Sequence, residues 1–272
     1  MSHKTIPGVP VPSFAPAPAG QVVGTGRTFA IGDTHGDIEA LRVLMSRLPF
    51  PTAGDTILFI GDYVDRGPAS AEVVAYVREL PQWTSAKVVC LRGNHEDAWV
   101  KVVDEGWPEF VLPRGNGCLE AMRSFLKEPM PAAHDTPSAD ELTAMLKGTF
   151  IPDDVLEWMR ALPYFYEDDH AVYVHAGLSR RNGKFAHPSE VEPKRALLWL
   201  RDKDFFQNYE GKLVVFGHTS TDQLPDELSS HTADDPSDLW AGPCAIGLDT
   251  GAGKGGFLTA VELPSRVVYE SR

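Results

Sequence analysis

The chain has 272 residues, an ordinary apolar fraction of 43% and a formal net charge of −13. That length fits one large α/β domain or two small ones, and that charge argues against a generic nucleic-acid or anionic-membrane binder while leaving room for a local basic pocket. No apolar run approaches the roughly 18–20 residues of a membrane span and no secretion-signal core follows Met1, so a cytoplasmic location is expected.

Cys90, Cys118 and Cys244 are sparse, odd in number and without a CxxC pair, which suggests reduced thiols serving as core packing. Pro7, Pro10, Pro12, Pro16 and Pro18 predict a flexible extended tail over residues 1–26, with the folded domain over 27–272. Gly24-Thr25-Gly26 is not a dinucleotide fingerprint, because Phe29 stands where the third glycine is needed.

The first predicted strand, Thr28–Ile31, runs into Gly32-Asp33-Thr34-His35-Gly36-Asp37. A helix follows with Ile38, Leu41, Leu44, Met45 and Leu48 on one face and Asp37 as its cap; Pro49 and Pro51 end it. The short apolar run Thr56–Ile60 predicts a second, buried strand that delivers Gly61-Asp62-Tyr63-Val64-Asp65-Arg66-Gly67. A helix from about Ala69 to Leu80 turns Val73, Val74 and Val77 inward. The third strand, Lys87–Leu91, ends in Arg92-Gly93-Asn94-His95-Glu96, where another helix begins.

Strand, polar loop and helix thus occur three times, with Asp33, Asp62 and Asn94 at roughly thirty-residue intervals. Right-handed crossovers place the three loops along one edge of a parallel sheet, the edge where ligands bind in open α/β sheets. Acids and guanidinium groups gathered there are costly to bury without metals or an anionic ligand.

Residues 103–160 predict a helical insert, with helices near Cys118–Lys127, Ser138–Lys147 and Asp153–Leu162. Strands resume at Tyr164–Tyr166 and Ala171–Val174, joined by an Asp168-Asp169 turn and ending in His175-Ala176-Gly177. A short helix at about Lys194–Leu200 precedes Arg201, and a strand at Leu213–Phe216 ends in Gly217-His218-Thr219. Terminal strands are expected near 244–249, 256–262 and 266–269. The later strands lie close together, which predicts a second, mostly antiparallel sheet. The fold expected is two mixed sheets face to face with helices outside, an αββα sandwich.

The strand-end donors are Asp33, His35, Asp62, Asn94, His175 and His218, oxygens and imidazoles without a thiolate. Such a set suits Mn, Fe or Zn rather than a cysteine-based structural zinc. Six donors exceed what one open catalytic ion uses, whereas two ions sharing a carboxylate, about 3.5–4 Å apart, clamp both oxygens of a phosphoryl transfer.

GDTHG, GDYVDRG, LRGNHE, HAG and GH, in that order over residues 32–218, resemble the phosphoprotein phosphatase branch of the calcineurin-like metallophosphoesterases. The resemblance implies Asp33 and His35 on a first metal, Asp62 bridging, and Asn94, His175 and His218 on a second, with manganese the favoured ion. It implies His95 as general acid, Asp65 as the carboxylate orienting it, and Arg66, Arg92 and Arg201 as holders of the phosphate oxygens. The activity implied is a bacterial-type protein phosphatase that cleaves phosphoserine or phosphothreonine esters, with phosphotyrosine also in reach, by direct attack of a metal-bridging hydroxide. No regulatory subunit is indicated.

Two departures matter. His175-Ala176-Gly177 stands where eukaryotic members usually read HGG, and Asp249–Gly256 resembles bacterial members and symmetrical diadenosine tetraphosphatases. A dinucleoside polyphosphate hydrolase is therefore the alternative, although such relatives usually lack the Asp65-Arg66 pair; a catalytically silent metal-binding module is the alternative of another class. His3, His134, His170, His187 and His231 read as ordinary packed or exposed histidines, and Arg114 with Asn116 as a plain turn. Gly253-Lys254 is not a phosphate loop, because Leu248 and Gly255 break its pattern. Thr221–Pro243 carries six acids and no Lys or Arg, and reads as a solvated acidic loop.

Overall fold

Three strand–loop–helix repeats open the described chain. The structure, a computed structural model, describes residues 14, 26–132, 134–231 and 234–272. The expected Pro-rich tail therefore lies outside the described residues, Phe14 and Gly26 apart.

β1 (Thr28–Ile31) leads to α1 (Ile38–Arg47), where the Asp37 carboxylate caps the helix by accepting from the Ala40 amide. β2 (Thr56–Phe59) leads to α2 (Ser70–Glu79), and β3 (Lys87–Cys90) to α3 (Asn94–Glu105). β1 pairs parallel with β2, and β2 with β3, so all three following loops emerge at one edge. The insert holds α4 (Pro108–Val111), α5 (Cys118–Leu126), α6 (Ala139–Lys147) and α7 (Asp153–Ala161).

The second half holds β4 (Phe165–Glu167), β5 (Val172–Val174), a small hairpin of β6 (Arg180–Arg181) and β7 (Lys184–Phe185), then α8 (Ala196–Trp199) and α9 (Lys203–Asn208). β8 (Val214–Phe216), β9 (Trp240–Ala241), β10 (Ala245–Gly247), β11 (Thr259–Leu263) and β12 (Val267–Glu270) follow. One sheet runs β12-β11-β1-β2-β3 and the other β4-β5-β8-β10-β9.

The second sheet is not mostly antiparallel. β5, β8 and β10 run parallel, and only the edge strands β4 and β9 are antiparallel. The connection from β5 to β8 contains a hairpin and two helices, long enough for a crossover that a tight turn cannot make. β11 and β12 lie outside that sheet altogether: β11 pairs antiparallel with β1, and β12 antiparallel with β11.

Alternation along the strands explains the layers. Phe29 and Ile31 of β1, with Ile57 and Phe59 of β2, face a core shared with α1, α2, α3 and the insert. Ala30 and Leu58 point the other way, into a core with Tyr173, Val215 and Ile246 of the second sheet. Val172, Val174, Val214 and Phe216 face a third core with Leu197, Phe205 and Phe206 from α8 and α9. Strands buried on both faces read as unbroken apolar runs, which is how β2 looks in the sequence. The result is helix, sheet, sheet, helix. Insert residues Leu119, Met122, Met145 and Met159 join the same core as β1 and β2.

The acidic stretch 221–243 is only partly solvated. Leu224, Leu239 and Trp240 are buried, and Asp235 and Asp238 pair with Arg272, a cation far away in sequence. Among the described residues no helix is long and apolar enough to cross a membrane.

Candidate metal centre

The loops at the strand ends are tightly bent. Of the eight described non-glycine residues with positive φ, five belong to the predicted site: His35, Asp62, Asp65, Arg66 and His218. Such conformations cost about 1–3 kcal/mol each and persist where surrounding structure enforces them, typically at functional sites. Glycines make room for the donors. A Cβ on Gly93 would stand 2.1 Å from Asp62 Oδ1, and one on Gly217 would stand 1.9 Å from Asp33 Oδ1. Only glycine allows these approaches.

Asp62 is the common partner. Its Oδ2 lies 3.3 Å from His35 Nε2 and 3.9 Å from His95 Nε2, while its Oδ1 lies 3.5 Å from His175 Nε2. Two buried groups could each hold a metal ion, His35–Asp62–His95 and Asp62–His175–His218, with ligand atoms in each within 4.8 Å of one another. Asn94 Oδ1 joins the second group at 2.9 Å from His175 Nε2 and 2.7 Å from His218 Nδ1. Backbone carbonyls fix the rings: His35 Nδ1–H donates to Val64 O, and His175 Nδ1–H to Ile60 O. These bonds leave each Nε2 a bare lone pair aimed inward, the tautomer a metal ligand needs.

Asp33 stands in neither histidine group. Its Oδ2 accepts from the His218 amide, but its Oδ1 is buried with no hydrogen-bond partner. Burial, with the charges of Asp249 and Asp62, pushes its carboxyl well above the usual range. Burial pushes Asp62 up too, yet His175, His95, His35 and Arg66 outweigh it and hold that carboxyl well below. Burial holds the His35 and His218 imidazoles well below their ordinary value and lowers His175. Neutral imidazoles, an orphan carboxylate oxygen and an amide oxygen converge as acceptors with few protons to share. That donor set fits divalent cations.

Beside it, His95 Nδ1 donates to Asp65 Oδ2 at 2.6 Å, and Trp99 Nε1–H reaches both Asp65 oxygens at 3.0 Å. Phe110 packs edge-on against the His95 ring at 5.4 Å. Arg66 Nη1 lies against His35 Nε2, and Arg201 Nη2 donates to the His218 carbonyl at 3.4 Å. Arg92 is placed differently. Its Nη1 and Nη2 donate to Tyr164 Oη, Asp97 and the Arg160 carbonyl, its buried Nε has no partner, and among the described residues no bond joins it to the histidine cluster.

Several contributors escape sequence reasoning. Glu96 accepts from the amides of Asp62, Tyr63 and Gly93, and so pins the loop that carries Asp62. Burial and then Asp62 push its carboxyl up to about 8. Trp99 is one α-helical turn beyond His95, a spacing that flags a shared face. Asp249 and Lys254, 3.4 Å apart, belong to the segment dismissed as a phosphate loop, yet Gly253 packs directly on the His35 backbone. None of the three cysteines is paired. Cys90 is half-buried, and burial pushes its thiol up to about 12.

A two-sheet sandwich with carboxylate, amide and imidazole donors at its strand ends is the architecture of a metallophosphoesterase. The calcineurin-like phosphoesterase model matches residues 26–222, and the chain belongs to that family. A symmetrical bis(5'-nucleosyl)-tetraphosphatase of Methylobacillus flagellatus is 28% identical over 151 residues, covering 56% of this chain and 43% of that protein. Its counterpart from Yersinia pestis is 30% identical over 154 residues, covering 56% and 42%. The match thus spans less than half the length of these curated relatives. Among solved structures, one assigned provisionally to a diadenosine tetraphosphatase aligns over 95% of this chain and 96% of its own at TM-score 0.53 and 22% identity. A cold-active protein-tyrosine phosphatase of a psychrophilic Shewanella aligns over 92% and 78% at TM-score 0.50 and 17% identity. These likenesses show the shared fold.

Proposed function

We propose that the chain hydrolyses phosphoesters at a centre of two divalent metal ions, manganese favoured, with His95 as proton donor to the leaving oxygen. Asp33 and His35 hold one ion, Asn94, His175 and His218 the other, and Asp62 both. The observation that carries this reading is Asp62 itself, with one carboxylate oxygen facing His35 and the other facing His175. Bound there, the ions supply Lewis-acid polarisation of the phosphoryl group and acidify a water.

The protein's own groups do the rest. Arg66 and Arg201 flank the cluster and offer planar donors to phosphate oxygens. Arg92 joins them if substrate displaces its bonds to Tyr164 and Asp97. Asp65 holds His95 Nδ1–H, so Nε2 is the atom that gives its proton to the departing alkoxide or phenoxide. General acid help of this kind is worth roughly 10²–10⁴ in rate. No covalent phosphoenzyme is needed.

For the substrate, the first reading is a phosphoseryl or phosphothreonyl protein, supported by the Asp65–His95 pair suited to a poor alkoxide leaving group. The second is a symmetrical dinucleoside tetraphosphate, supported by the names of the curated relatives. The test is a panel with Mn²⁺: a phosphoseryl peptide, a phosphotyrosyl peptide, p-nitrophenyl phosphate and diadenosine tetraphosphate. Preference for the dinucleotide by orders of magnitude selects the second reading. No turnover of any of the four refutes the phosphoesterase reading in favour of a silent metal-binding module.

A further inference from the structure

The sequence pattern rejects Gly253-Lys254 as a phosphate loop, yet this segment lies against the loop that carries Asp33 and His35. Gly253 has φ of +72°, and a Cβ on it would stand 2.3 Å from the His35 carbonyl oxygen. Its amide donates to Asp37 Oδ2 at 3.3 Å. Thr250 anchors the segment from its other end, with its hydroxyl 2.6 Å from the Phe257 carbonyl and 2.8 Å from Thr259 Oγ1. The backbone at Lys254 is therefore fixed beside His35, while its side chain is partly exposed and ends on Asp249 Oδ2 at 3.4 Å. We propose that Lys254 is a further substrate-binding residue: it rests on Asp249 until a divalent ion occupies the Asp33–His35 side, and then turns to an oxygen of the bound phosphoryl group. The proposal deepens the phosphoesterase reading and rests on it for the place of that group.

Asp249 shows why the resting contact is provisional. Its side chain is fully buried, and the bonds it accepts from Gly251 N, Ser220 Oγ and Lys254 Nζ are all 3.2–3.4 Å long. A buried carboxylate served so loosely is costly. Asp33, whose Oδ1 is also buried without a partner, adds a second negative charge nearby. Burial, with the charges of Asp249 and Asp62, pushes the Asp33 carboxyl well above its ordinary range, and Lys254 is a cation that opposes them. Burial and Arg66 hold the His35 imidazole well below its ordinary value, and Lys254 acts in the same direction. The charge of one ammonium thus bears on both residues proposed for the first ion.

A divalent ion there changes the balance twice. It compensates Asp33 and Asp249 with two charges where Lys254 supplies one, and it repels the ammonium. The lysine stem is flexible, so Nζ leaves Asp249 without moving the loop. Arg66 lies against His35 and Arg201 against the His218 carbonyl, so Lys254 adds a third cation, on the Asp249 face of the centre. There its charge meets the negative charge that gathers on the phosphoryl oxygens in the transition state.

The test compares the full chain with Lys254→Met, which keeps the length of the stem and removes the charge, and with Lys254→Arg. Circular dichroism checks the fold of each. Calorimetric titration with Mn²⁺ reads the metal, and titration of the manganese-loaded proteins with orthophosphate reads the anion. In Lys254→Met the two should move in opposite directions: one Mn²⁺ step tightens about tenfold, and orthophosphate binds about tenfold more weakly. Lys254→Arg should return both toward the native values. A lysine that only ties down Asp249 gives the other pattern, with Mn²⁺ bound no more tightly than by the native chain, and that result overturns the proposal. Unchanged orthophosphate affinity in Lys254→Met overturns it as well. Opposed shifts in a protein that turns over no phosphoester sustain the role of Lys254 and refute the phosphoesterase reading instead.

Discussion

Replacing Asp65 with asparagine isolates the bond that orients His95. Asp65 is fully buried, its Oδ2 accepts from His95 Nδ1 at 2.6 Å, and both oxygens receive the Trp99 indole N–H. Its backbone has φ of +72°, a conformation asparagine tolerates as well as aspartate does. The substitution therefore keeps volume, backbone and the indole bond, and removes one negative charge. A carboxamide nitrogen facing Nδ1 also reverses the proton order and favours the other tautomer of the ring. A hydrogen bond to a charged group is worth about 1.5–3 kcal/mol. At about 1.4 kcal/mol per factor of ten, kcat should fall roughly ten- to 150-fold. The assay compares p-nitrophenyl phosphate with an alkyl phosphate, since p-nitrophenolate leaves without help. The loss should fall mainly on the alkyl ester, with KM and metal content little changed. His95→Asn should give the same pattern, more steeply. Equal losses on both esters, in either variant, would refute the proton-donor role.

Asp62→Asn should abolish turnover and lower the metal content below two ions per chain; an inactive variant that keeps two tightly held ions contradicts the bridging role. Glu96→Ala strands the amides of Asp62, Tyr63 and Gly93, at about 1–3 kcal/mol for each buried unsatisfied group. Glu96→Gln keeps one acceptor oxygen, so it should melt well above Glu96→Ala, and equal Tm values would deny the pinning role. Far from the site, burial alone pushes Asp55 up, but Arg27 and Thr52 outweigh it and hold its carboxyl at about 2. A depressed carboxyl stabilises the fold above its unfolded value near 3.8 and loses that contribution as pH falls through 2. Denaturant unfolding should therefore show Asp55→Asn about 1–2 kcal/mol less stable than the native chain near pH 5, allowing for solvent screening, with the gap closing toward pH 2. A gap independent of pH would contradict this.

The three repeats were legible because each couples a short apolar run to a polar loop and an amphipathic helix. Position along the chain then fixed which loops share an edge, and Asp62, His35 and Asn94 lie together for that reason. The direction of β8 and β10 was not legible, because a strand buried on both faces has the same apolar pattern whether its neighbours run parallel or antiparallel. Nor was the sheet that β11 joins, which depends on contacts across the whole chain with β1. At the site, the types of donor atom could be read, but not where a long side chain spends its hydrogen bonds. Arg92 follows a strand as the motif requires, yet its Nη1 donates to Tyr164 and Asp97. Glu96 stood in the same motif, and nothing in its spacing shows that it serves the backbone of another loop.

The most direct test of the central claim is anomalous diffraction at the manganese edge from crystals grown with Mn²⁺. Two peaks are expected about 3.5–4 Å apart with the Asp62 carboxylate between them, one beside Asp33 and His35 and the other beside Asn94, His175 and His218. A single peak, or peaks away from Asp62, would contradict it.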